Sequence, residues 1–505
     1  MPENYRPDPT ALVPAVTSAA WTGDRLTLAA DTTVSAPPNI ARLVREYLCG
    51  PTGLPLNGSG SGGPVLAFDT VPDPSLGEEG YRLHIDEAGV RAVAAGDAGL
   101  RWAVQTLRQV LPVEIYMTEP VRGVPWTLPT GEVYDAPALP WRGALLDVAR
   151  WHQPVEFLFE FVELLALHKL NTLHLHLTDD QGWRFESIRY PRLTDVGGWR
   201  TGSPYGDGID ERPHGGFYTQ TQLRDLVAHA AQRGVRIMPE VDLPGHMQAA
   251  VAAYPHLGNE PSRRLPVRTR WGISPHVLNT EPATVAFMRD VIDEIVDVFP
   301  FQYVHLGGDE VPLSEWSSSA AARRTIAEHG LSGAGDLLGW WIAQIGRHLT
   351  GQGRTPAAWD EVVDAGAPRD TLVFAWQSAD RVDAALAKGY RVVAVPQEFV
   401  YLDLSETGAP NEPPARSGFL PLSRVYGFDP AAGQAAGRVL GTQGMLWAEH
   451  MSEPALVRWR AFPRLTAIAD RTWSSAPDEA RFLASLPAHL RRLDRLGVGY
   501  NSLPR

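Results

Sequence analysis

Short apolar stretches alternate with amphipathic stretches from about residue 140 onward. Helical spacing of apolar residues marks the segments between most of the apolar stretches, for example 154–170 and 281–299. Eight strands with helical crossovers predict a closed parallel (β/α)₈ barrel of the TIM type, not an open doubly wound sheet. A helical pattern from 453 to 495 closes the chain. The predicted strands are 142–149, 172–178, 235–242, 303–310, 355–361, 371–376, 390–396 and 439–447.

Residues 1–138 have a different pattern and predict a separate small α+β domain. Alternating stretches at 25–30, 64–70 and 81–95 indicate strands, and the apolar spacing over 98–113 indicates a helix. A proline-rich segment at 136–141 favours extended backbone and joins the two parts. We therefore expect an N-terminal domain of residues 1–138 and a catalytic barrel with a C-terminal helix over residues 139–505.

Composition limits the partners of the protein. Hydrophobic residues make up 44% and charged residues 20% of the 505 residues, and the net charge is −13. This balance is typical of a soluble globular protein, and its negative charge disfavours nucleic acid and anionic membranes as partners. The single cysteine, Cys49, excludes an intrachain disulfide. The opening MPENYRPDPT lacks the features of a signal peptide, so we expect a cytoplasmic protein, with a secreted mature form as the alternative.

Polar and aromatic side chains gather where the predicted barrel strands end, which is where barrel enzymes place their active sites. Any single carboxylate among them could be a surface charge or a helix cap. Their coincidence with tryptophans and one arginine predicts a sugar-binding site. Sugar hydroxyls donate strong hydrogen bonds to carboxylates and accept them from arginine, and indole rings cover the apolar face of a pyranose. The residues are Asp147, Arg150, Asp179, Asp180, Glu240, Asp242, His246, Asp309, Glu310, Trp359, Asp360, Glu361, Trp447 and Glu449.

Asp309 and Glu310 are the strongest candidates for catalysis of glycoside cleavage. Their Cα atoms are about 3.8 Å apart, and neighbours at a strand end point in different directions. They are therefore poorly placed to work on opposite faces of one sugar, but well placed if one protonates the leaving group while the other reaches a different atom. The preceding Gly307 and Gly308 permit unusual backbone angles. We expect the adjacent negative charge to raise the pKa of Glu310, as a general acid near neutral pH requires.

Five stretches resemble glycoside hydrolase family 20, the β-N-acetylhexosaminidases. The resemblance covers about residues 139–480, and residues 1–138 are similar to the small α+β domain that commonly precedes this barrel. It implies a retaining exo-hydrolase that removes terminal non-reducing β-linked GlcNAc or GalNAc from an oligosaccharide or glycoconjugate, with no metal and no organic cofactor. The stretches are RGALLDVAR (142–150), HLTDDQGWR (176–184), PEVDLPGH (239–246), HLGGDE (305–310) and GMLWAE (444–449).

The same resemblance implies substrate-assisted catalysis, in which the carbonyl oxygen of the 2-acetamido group attacks the anomeric carbon and forms an oxazolinium ion. Glu310 would be the general acid and then the general base, and Asp309 would hold the acetamido N–H. Tyr401 would steer the acetamido oxygen, while Asp179 and His246 would form a relay to Glu310.

The resemblance also implies residues that bind the terminal sugar. Arg150, Asp403 and Glu449 match positions that grip its hydroxyls. Trp340, Trp359 and Trp447 match the tryptophans that wall the acetamido pocket and floor the sugar.

Two positions depart from the usual pattern of the family. Trp151 and His152 follow Arg150 where a histidine usually follows directly, and Phe428 stands where many members have tryptophan. Both departures could alter the side of the site that receives the rest of the substrate. The role of the segment 198–217 is open.

Three other functions compete with this interpretation. His174 and His176 would face the same side of a strand, as the ligands of a metal-dependent barrel hydrolase would. We interpret both as hydrogen-bonded residues of the barrel interior, because the predicted strands 355–361 and 371–376 contain neither the further histidines nor the lysine that such a site needs. The other two are a non-catalytic sugar-binding protein and an unrelated barrel glycosidase with an enzyme nucleophile.

Overall fold

The computed structural model describes residues 11–57, 62–205, 208–434 and 437–502. A six-stranded sheet forms the core of the N-terminal part, with helices Pro38–Thr52 and Asp97–Val110 packed together and the second helix against the sheet. The strands predicted at 64–70 and 81–95 and the helix predicted at 98–113 are confirmed. In spatial order the strands are Ser18–Thr27, Thr127–Asp135, Tyr81–Asp86, Gly89–Ala94, Val65–Thr70 and Thr33–Ser35.

Eight strands form a closed, all-parallel barrel, which confirms the predicted TIM-type fold with a small α+β domain before it. Each barrel strand overlaps one of the eight predicted segments. The N-terminal sheet ends at Asp135 and the barrel begins at Trp141. The barrel strands are Trp141–Asp147, Thr172–His176, Arg236–Glu240, Tyr303–His305, Thr355–Trp359, Leu372–Ala375, Arg391–Ala394 and Val439–Leu446.

The helices between and after the strands follow from local signals in the sequence. Helix Gln220–Arg233, for example, begins at a capping box between Thr219 and Gln222 and ends at the left-handed Gly234. The predicted helical pattern from 453 to 495 resolves into three helices. The barrel helices are Val155–Leu167, Arg192–Asp195, Gln220–Arg233, Gln248–Ala253, Pro282–Val298, Ser314–Ser318, Ala320–His329, Leu337–Gly351, Ala379–Ala387, Gln397–Val400, Leu422–Gly427, Pro454–Ala461, Arg464–Trp473 and Glu479–Arg495.

Short two-stranded ribbons elaborate the loops that follow several barrel strands. Three of them lie between the second and third barrel strands, so this connection is the most structured part of the rim. The paired segments are Thr178–Asp179 with Gly182–Trp183, Trp199–Arg200 with His214–Gly215, Ser203–Tyr205 with Gly208–Asp210, and Leu404–Ser405 with Arg416–Phe419.

A buried ion pair joins the N-terminal sheet to the barrel. Nζ of Lys169 lies 2.6 Å from Oδ2 of Asp135, and both side chains are inaccessible to solvent. Asp135 also accepts hydrogen bonds from the Tyr81 hydroxyl at 2.7 Å and from Nε1 of Trp473 at 2.9 Å. Because Trp473 ends a helix of the C-terminal region, one carboxylate ties three parts of the chain together.

Among the described residues, no helix combines the length and the apolar character needed to cross a bilayer.

The chain contains only two lysines, which gives the buried pair a matched control. Lys169→Met leaves the Asp135 carboxylate buried without its cation, so we expect the free energy of unfolding to fall by about 3–5 kcal/mol. Lys388→Met removes a half-exposed ion pair to Asp364 and is expected to cost less than about 1 kcal/mol. Urea unfolding of both variants measures the difference. Equal losses would show that Lys169 does not hold the domain junction.

Candidate active site

A small cavity of about 110 Å³ opens at the carboxyl ends of the barrel strands. Its walls come from the segments that follow strands one, four, five, six, seven and eight, so residues far apart in sequence meet here. Larger cavities exist. One of about 410 Å³ lies between the N-terminal domain and the opposite end of the barrel. Another, of about 690 Å³, shares Glu449 with this cavity and is lined in part by the segment 198–217. The walls are Arg150, Asp309, Glu310, Trp359, Trp376, Tyr401, Asp403, Arg416, Trp447 and Glu449.

Arg150 is fixed at one side of the cavity by two buried carboxylates. Its Nη1 lies 3.1 Å from Asp147, and its Nη2 lies 2.8 Å from Asp179. The guanidinium also lies over the Trp447 ring, with Cζ 5.1 Å from the centroid. Burial opposes its charge, but Asp179, Asp147 and Glu449 outweigh burial and raise the pKa of Arg150 further above its ordinary value. The arginine is therefore a permanently charged, immobilised donor facing the cavity.

Asp179 also connects Arg150 to the predicted relay. Its Oδ1 accepts a hydrogen bond from Nδ1 of His246 at 3.2 Å. On the other side of the same ring, Nε2 of His246 lies 3.6 Å from Glu310 and 3.8 Å from Asp309. Burial lowers the pKa of His246, but the charges of Asp179 and Asp309 raise it well above its usual value. The structure thus brings together the four residues of the predicted relay and acid pair.

The turn after the fourth barrel strand makes the two neighbouring acids face different surroundings. Gly307, Gly308 and Glu310 have φ angles of 64°, 95° and 49°. A Cβ on Gly307 would lie 1.7 Å from Oδ1 of Asp242, so only glycine fits there. The side chain of Asp309 is 14% exposed and that of Glu310 is 37% exposed. Asp309 is therefore held inward, while Glu310 reaches the open part of the cavity.

The expectation of a raised pKa for Glu310 is wrong for the unliganded protein. Hydrogen bonding to His246 lowers the pKa of Glu310, burial opposes this, and the positive charges of His246 and Arg150 lower it further. The sequence argument considered only the adjacent Asp309. It could not include two cations that approach from other strands.

Three further acids lie beneath or beside the cavity with raised pKa values. Burial raises the pKa of Asp242 well above its usual value, and the neighbouring charge of Asp309 adds to this. Burial likewise raises the pKa of Asp309 itself. Burial, Asp309 and Asp360 together raise the pKa of Glu361 to about 8. Asp242 and Glu361 therefore retain protons at pH values where exposed carboxyls have lost them, and the hydrogen bond from Asp242 opposes the rise in the pKa of Asp309 and favours its ionised form.

The opposite wall is built around Tyr401 and Asp403. Nε of Arg416 lies 2.7 Å from Oδ2 of Asp403, and its Cζ lies 5.1 Å from the Tyr401 ring centroid. Burial raises the pKa of Asp403 to about 6, although Arg416 opposes the shift. Trp376 stacks beside Tyr401 at a centroid distance of 6.1 Å.

Sequence reasoning missed Trp376 and Arg416. Trp376 ends a predicted strand, so the rule that selected the other rim residues could have found it. Arg416 lies in a loop with no motif around it, and only the fold brings it to Asp403.

The predicted tryptophans are placed differently from one another. Trp447 and Trp359 line the cavity. Trp359 is almost fully buried and donates its indole N–H to Oε1 of Glu240 at 2.9 Å. Trp340 lies on helix Leu337–Gly351, outside the cavity walls, and its ring contacts those of His329 and Trp341. Its role in the acetamido pocket stays a prediction.

His174 and His176 are hydrogen-bonded residues of the barrel interior, as we interpreted them. His176 donates to Glu240 at 2.5 Å through Nδ1 and to Asp179 at 3.1 Å through Nε2. His174 has Nε2 3.0 Å from Glu240 and Nδ1 2.9 Å from the Gln443 amide. His174, Glu240 and His305 also lie close enough together to share an ion.

The two departures from the family pattern lie outside the catalytic groups. Trp151 donates its indole N–H to the carbonyl oxygen of Glu449 at 3.1 Å. Phe428 stacks on Phe399 at a centroid distance of 4.8 Å and is not part of the cavity wall.

Comparisons with known proteins identify the family of the chain. Residues 139–476 match the family model "Glycosyl hydrolase family 20, catalytic domain", and residues 9–136 match "Glycosyl hydrolase family 20, domain 2". A β-hexosaminidase of Porphyromonas gingivalis is 36% identical over 434 residues, which cover 84% of this chain and 55% of the relative. The chain thus spans just over half the length of that protein.

Solved structures match over nearly the whole chain. The family 20 β-N-acetylhexosaminidase of Streptomyces coelicolor superposes with a TM-score of 0.86 at 28% identity and covers 98% of both chains. A mutant β-hexosaminidase of Streptomyces plicatus, in complex with the product GlcNAc, has a TM-score of 0.86 at 28% identity and covers 98% of this chain and 97% of that one. With a family model matching more than half of its residues, and with these relatives, the chain belongs to glycosyl hydrolase family 20.

Proposed function

We propose that the protein is a retaining exo-β-N-acetylhexosaminidase that releases terminal non-reducing β-linked N-acetylhexosamine by substrate-assisted catalysis. One observation carries the proposal. Oδ1 of Asp309 is buried in the cavity wall and accepts no N–H hydrogen bond from the described residues, while the neighbouring Glu310 is open to the cavity. A buried acceptor of this kind is costly unless a ligand supplies a donor. The N–H of a 2-acetamido group is such a donor.

The reaction uses the substrate's own carbonyl oxygen as nucleophile. Glu310 gives its proton to the glycosidic oxygen as the bond from that oxygen to C1 breaks, and the acetamido oxygen forms a bond to C1. Asp309 accepts the acetamido N–H and stabilises the positive charge of the oxazolinium ion. Tyr401 holds the acetamido oxygen in line with C1. Because the nucleophile is already attached to the substrate, no enzyme nucleophile is needed.

The second half of the reaction returns the proton. Glu310, now a carboxylate, takes a proton from water as the water oxygen bonds to C1 and the bond from C1 to the acetamido oxygen breaks. Two displacements at C1 restore the original configuration, so the enzyme retains it.

Unsatisfied polar atoms around the cavity fit the hydroxyls of one sugar. Nε of Arg150 and Oδ1 of Asp403 are buried without partners among the described residues. Together with Glu449 they would bind the hydroxyls of the terminal residue, with Trp359, Trp376 and Trp447 as apolar walls. Segments that follow six of the eight barrel strands enclose the cavity, which supports the binding of one terminal sugar and therefore exo action. The Streptomyces plicatus relative holds GlcNAc as its product, which supports an N-acetylhexosamine-terminated oligosaccharide or glycoconjugate as the substrate class.

Glu310 must be protonated to act as the general acid, but its pKa is low in the unliganded protein. The proposed mechanism therefore needs substrate binding to raise this pKa. The side chain of Glu310 is 37% exposed, and a sugar in the cavity displaces the water that stabilises its charge. Substrate binding would therefore raise the pKa of Glu310 and load the proton that the first step uses.

A substrate panel tests the participation of the acetamido group. We expect turnover of aryl β-GlcNAc and aryl β-GalNAc, inhibition by a thiazoline that mimics the cyclised intermediate, and little or no turnover of the aryl β-glucoside. A chelator should leave the rates unchanged. Comparable rates on the glucoside would indicate an enzyme nucleophile, and loss of activity with chelator would indicate a metal-dependent hydrolase.

Glu310→Gln tests the proton donor. Loss of general acid–base catalysis should lower kcat by about 10²- to 10⁴-fold, most strongly for substrates with poor leaving groups, while N-acetylglucosamine still binds. Glu328→Gln, an exposed glutamate on the helix Ala320–His329, is the control and should keep full activity. Steady-state kinetics and calorimetry measure both quantities. An unchanged kcat in Glu310→Gln would mean that another residue is the proton donor. Absence of turnover in the wild type as well would mean that the protein only binds sugars.

Proton uptake tests the proposed change at Glu310. The proposal gives Glu310 a low pKa in the free protein and a higher pKa in the complex. N-acetylglucosamine does not itself titrate, so its binding at pH 5–6 should make the protein take up protons. Calorimetry in buffers with different ionisation enthalpies measures the number of protons. The wild type should bind more protons than Glu310→Gln, whose amide cannot titrate. Equal numbers would mean that the carboxyl of Glu310 keeps its low pKa in the complex.

A further inference from the structure

Two buried arginines lie behind the wall that carries Arg150. Arg184 and Arg200 are 0% and 2% exposed. Within the described parts of the chain, neither forms a salt bridge with a carboxylate. Burial lowers the pKa of Arg184 to about 10 and that of Arg200 to about 9, and for Arg200 the charge of Arg184 adds to the effect. A pair of buried cations without acidic partners is unfavourable for folding alone.

These guanidiniums bind three successive carbonyl groups. Arg184 donates through Nε to the carbonyl of Val148 at 3.0 Å and through Nη2 to that of Ala149 at 2.6 Å. Arg200 donates through Nη1 to the carbonyl of Arg150 at 2.6 Å. The first barrel strand ends at Asp147, so no strand ladder fixes these carbonyls. The two arginines therefore fix the carbonyl side of the backbone that carries Arg150, while Asp147 accepts the N–H groups of Ala149 and Arg150 at 2.9 Å and 3.1 Å.

The segment 198–217, described except for residues 206 and 207, supplies most of this arrangement. It carries Arg200 and also the carbonyls of Gly198 and Gly216, which hold Nη1 of Arg184 at 2.7 Å and 2.9 Å. His214 of the same segment accepts the backbone N–H of His152 at 3.0 Å. The segment is thus bonded to the backbone on both sides of Trp151.

Aromatic rings hold the Arg200 guanidinium in place. Its Cζ lies 4.8 Å from the Trp151 ring centroid and 5.3 Å from that of Trp271. Nε of Arg200 donates to the Ser203 hydroxyl at 2.9 Å. The rings favour a flat cation over the compact ammonium of lysine. Trp151, one of the departures from the family pattern, therefore has a partner in the segment 198–217.

We propose that Arg200 is a positioning residue for Arg150, through which the segment 198–217 sets the affinity for the terminal sugar. Arg200 does not touch the substrate. It fixes the Arg150 carbonyl, and with it the path along which the Arg150 side chain reaches Asp147, Asp179 and the cavity. The inference rests on the proposed function in one respect, namely that Arg150 binds sugar hydroxyls.

Arg200→Ala should raise KM for aryl β-GlcNAc by about 10- to 100-fold, the range for one misplaced charged hydrogen bond, and leave kcat within about threefold. The reason is that Arg150 contacts hydroxyls that do not react, so its displacement weakens substrate and transition state alike. Arg200→Lys keeps the charge and one donor and should give an intermediate KM. Glu211→Ala, at an exposed position of the same segment that lines neither this cavity nor the larger one beside it, is the control with unchanged kinetics.

Substrate analogues separate positioning from a general structural effect. A substrate that lacks the hydroxyl bound by Arg150 should bind the wild type much more weakly than the full substrate does. In Arg200→Ala the same change should weaken binding only a little, because that contact is already lost. We expect this when the 3-deoxy and 4-deoxy aryl glycosides are compared in both proteins. If Arg200→Ala does not fold, Arg200→Lys is compared with the wild type instead. If removal of the hydroxyl then raises KM for Arg200→Lys as much as for the wild type, the proposal is overturned.

The remaining outcomes are equally definite. An unchanged KM, or a fall in kcat alone, in a folded Arg200→Ala protein would overturn the positioning role. Arg150→Ala distinguishes this failure from failure of the proposed function. If Arg150→Ala raises KM and Arg200→Ala does not, only the inference about Arg200 fails. If Arg150→Ala leaves KM unchanged, the proposed binding role of Arg150 fails, and the inference fails with it.

Discussion

The carboxylate of Glu240, at the centre of the barrel, is the interaction on which the active site depends. It is fully buried, and it lies 2.5 Å from His176 and 3.0 Å from both His174 and His305. Trp359 donates a further hydrogen bond to it at 2.9 Å. A buried charge is tolerable only with such partners, so one acid organises side chains from three other barrel strands. These side chains lie directly beneath the catalytic groups.

The charges alternate outward from Glu240 to the solvent. Burial lowers the pKa of His176, but Glu240 and Asp179 outweigh burial and raise it to about 10, so this imidazole is a cation. Asp179 lies between that cation and the next two, Arg150 and His246, and Glu310 follows as the outermost acid. Each charge stabilises the next one. This explains why the unliganded protein favours the ionised form of Glu310, although Asp309 is its neighbour in sequence.

Much of the fold and of the site could be predicted from the sequence, and the reasons are local. The eight apolar stretches predicted the eight barrel strands because a strand buried on both faces needs a continuous apolar run. Eight of the ten cavity-wall residues were predicted, six from their positions at strand ends and Tyr401 and Asp403 from the family resemblance. Trp376 was overlooked at a strand end, and no local signal marked Arg416. The pKa of Glu310 and the contacts of Arg200 depend on groups brought together from different loops, which no local pattern encodes.

The two neighbouring acids have a mechanical consequence. In glycosidases with opposed carboxylates, the separation of the two groups depends on the distance across the cleft, and any breathing of the scaffold changes it. Here one peptide unit after the fourth barrel strand joins Asp309 to Glu310, and the backbone N–H of Gly308, just before them, donates a hydrogen bond to the buried Asp242 at 3.1 Å. Covalent geometry therefore fixes their spacing, and small movements between the barrel strands shift both acids together.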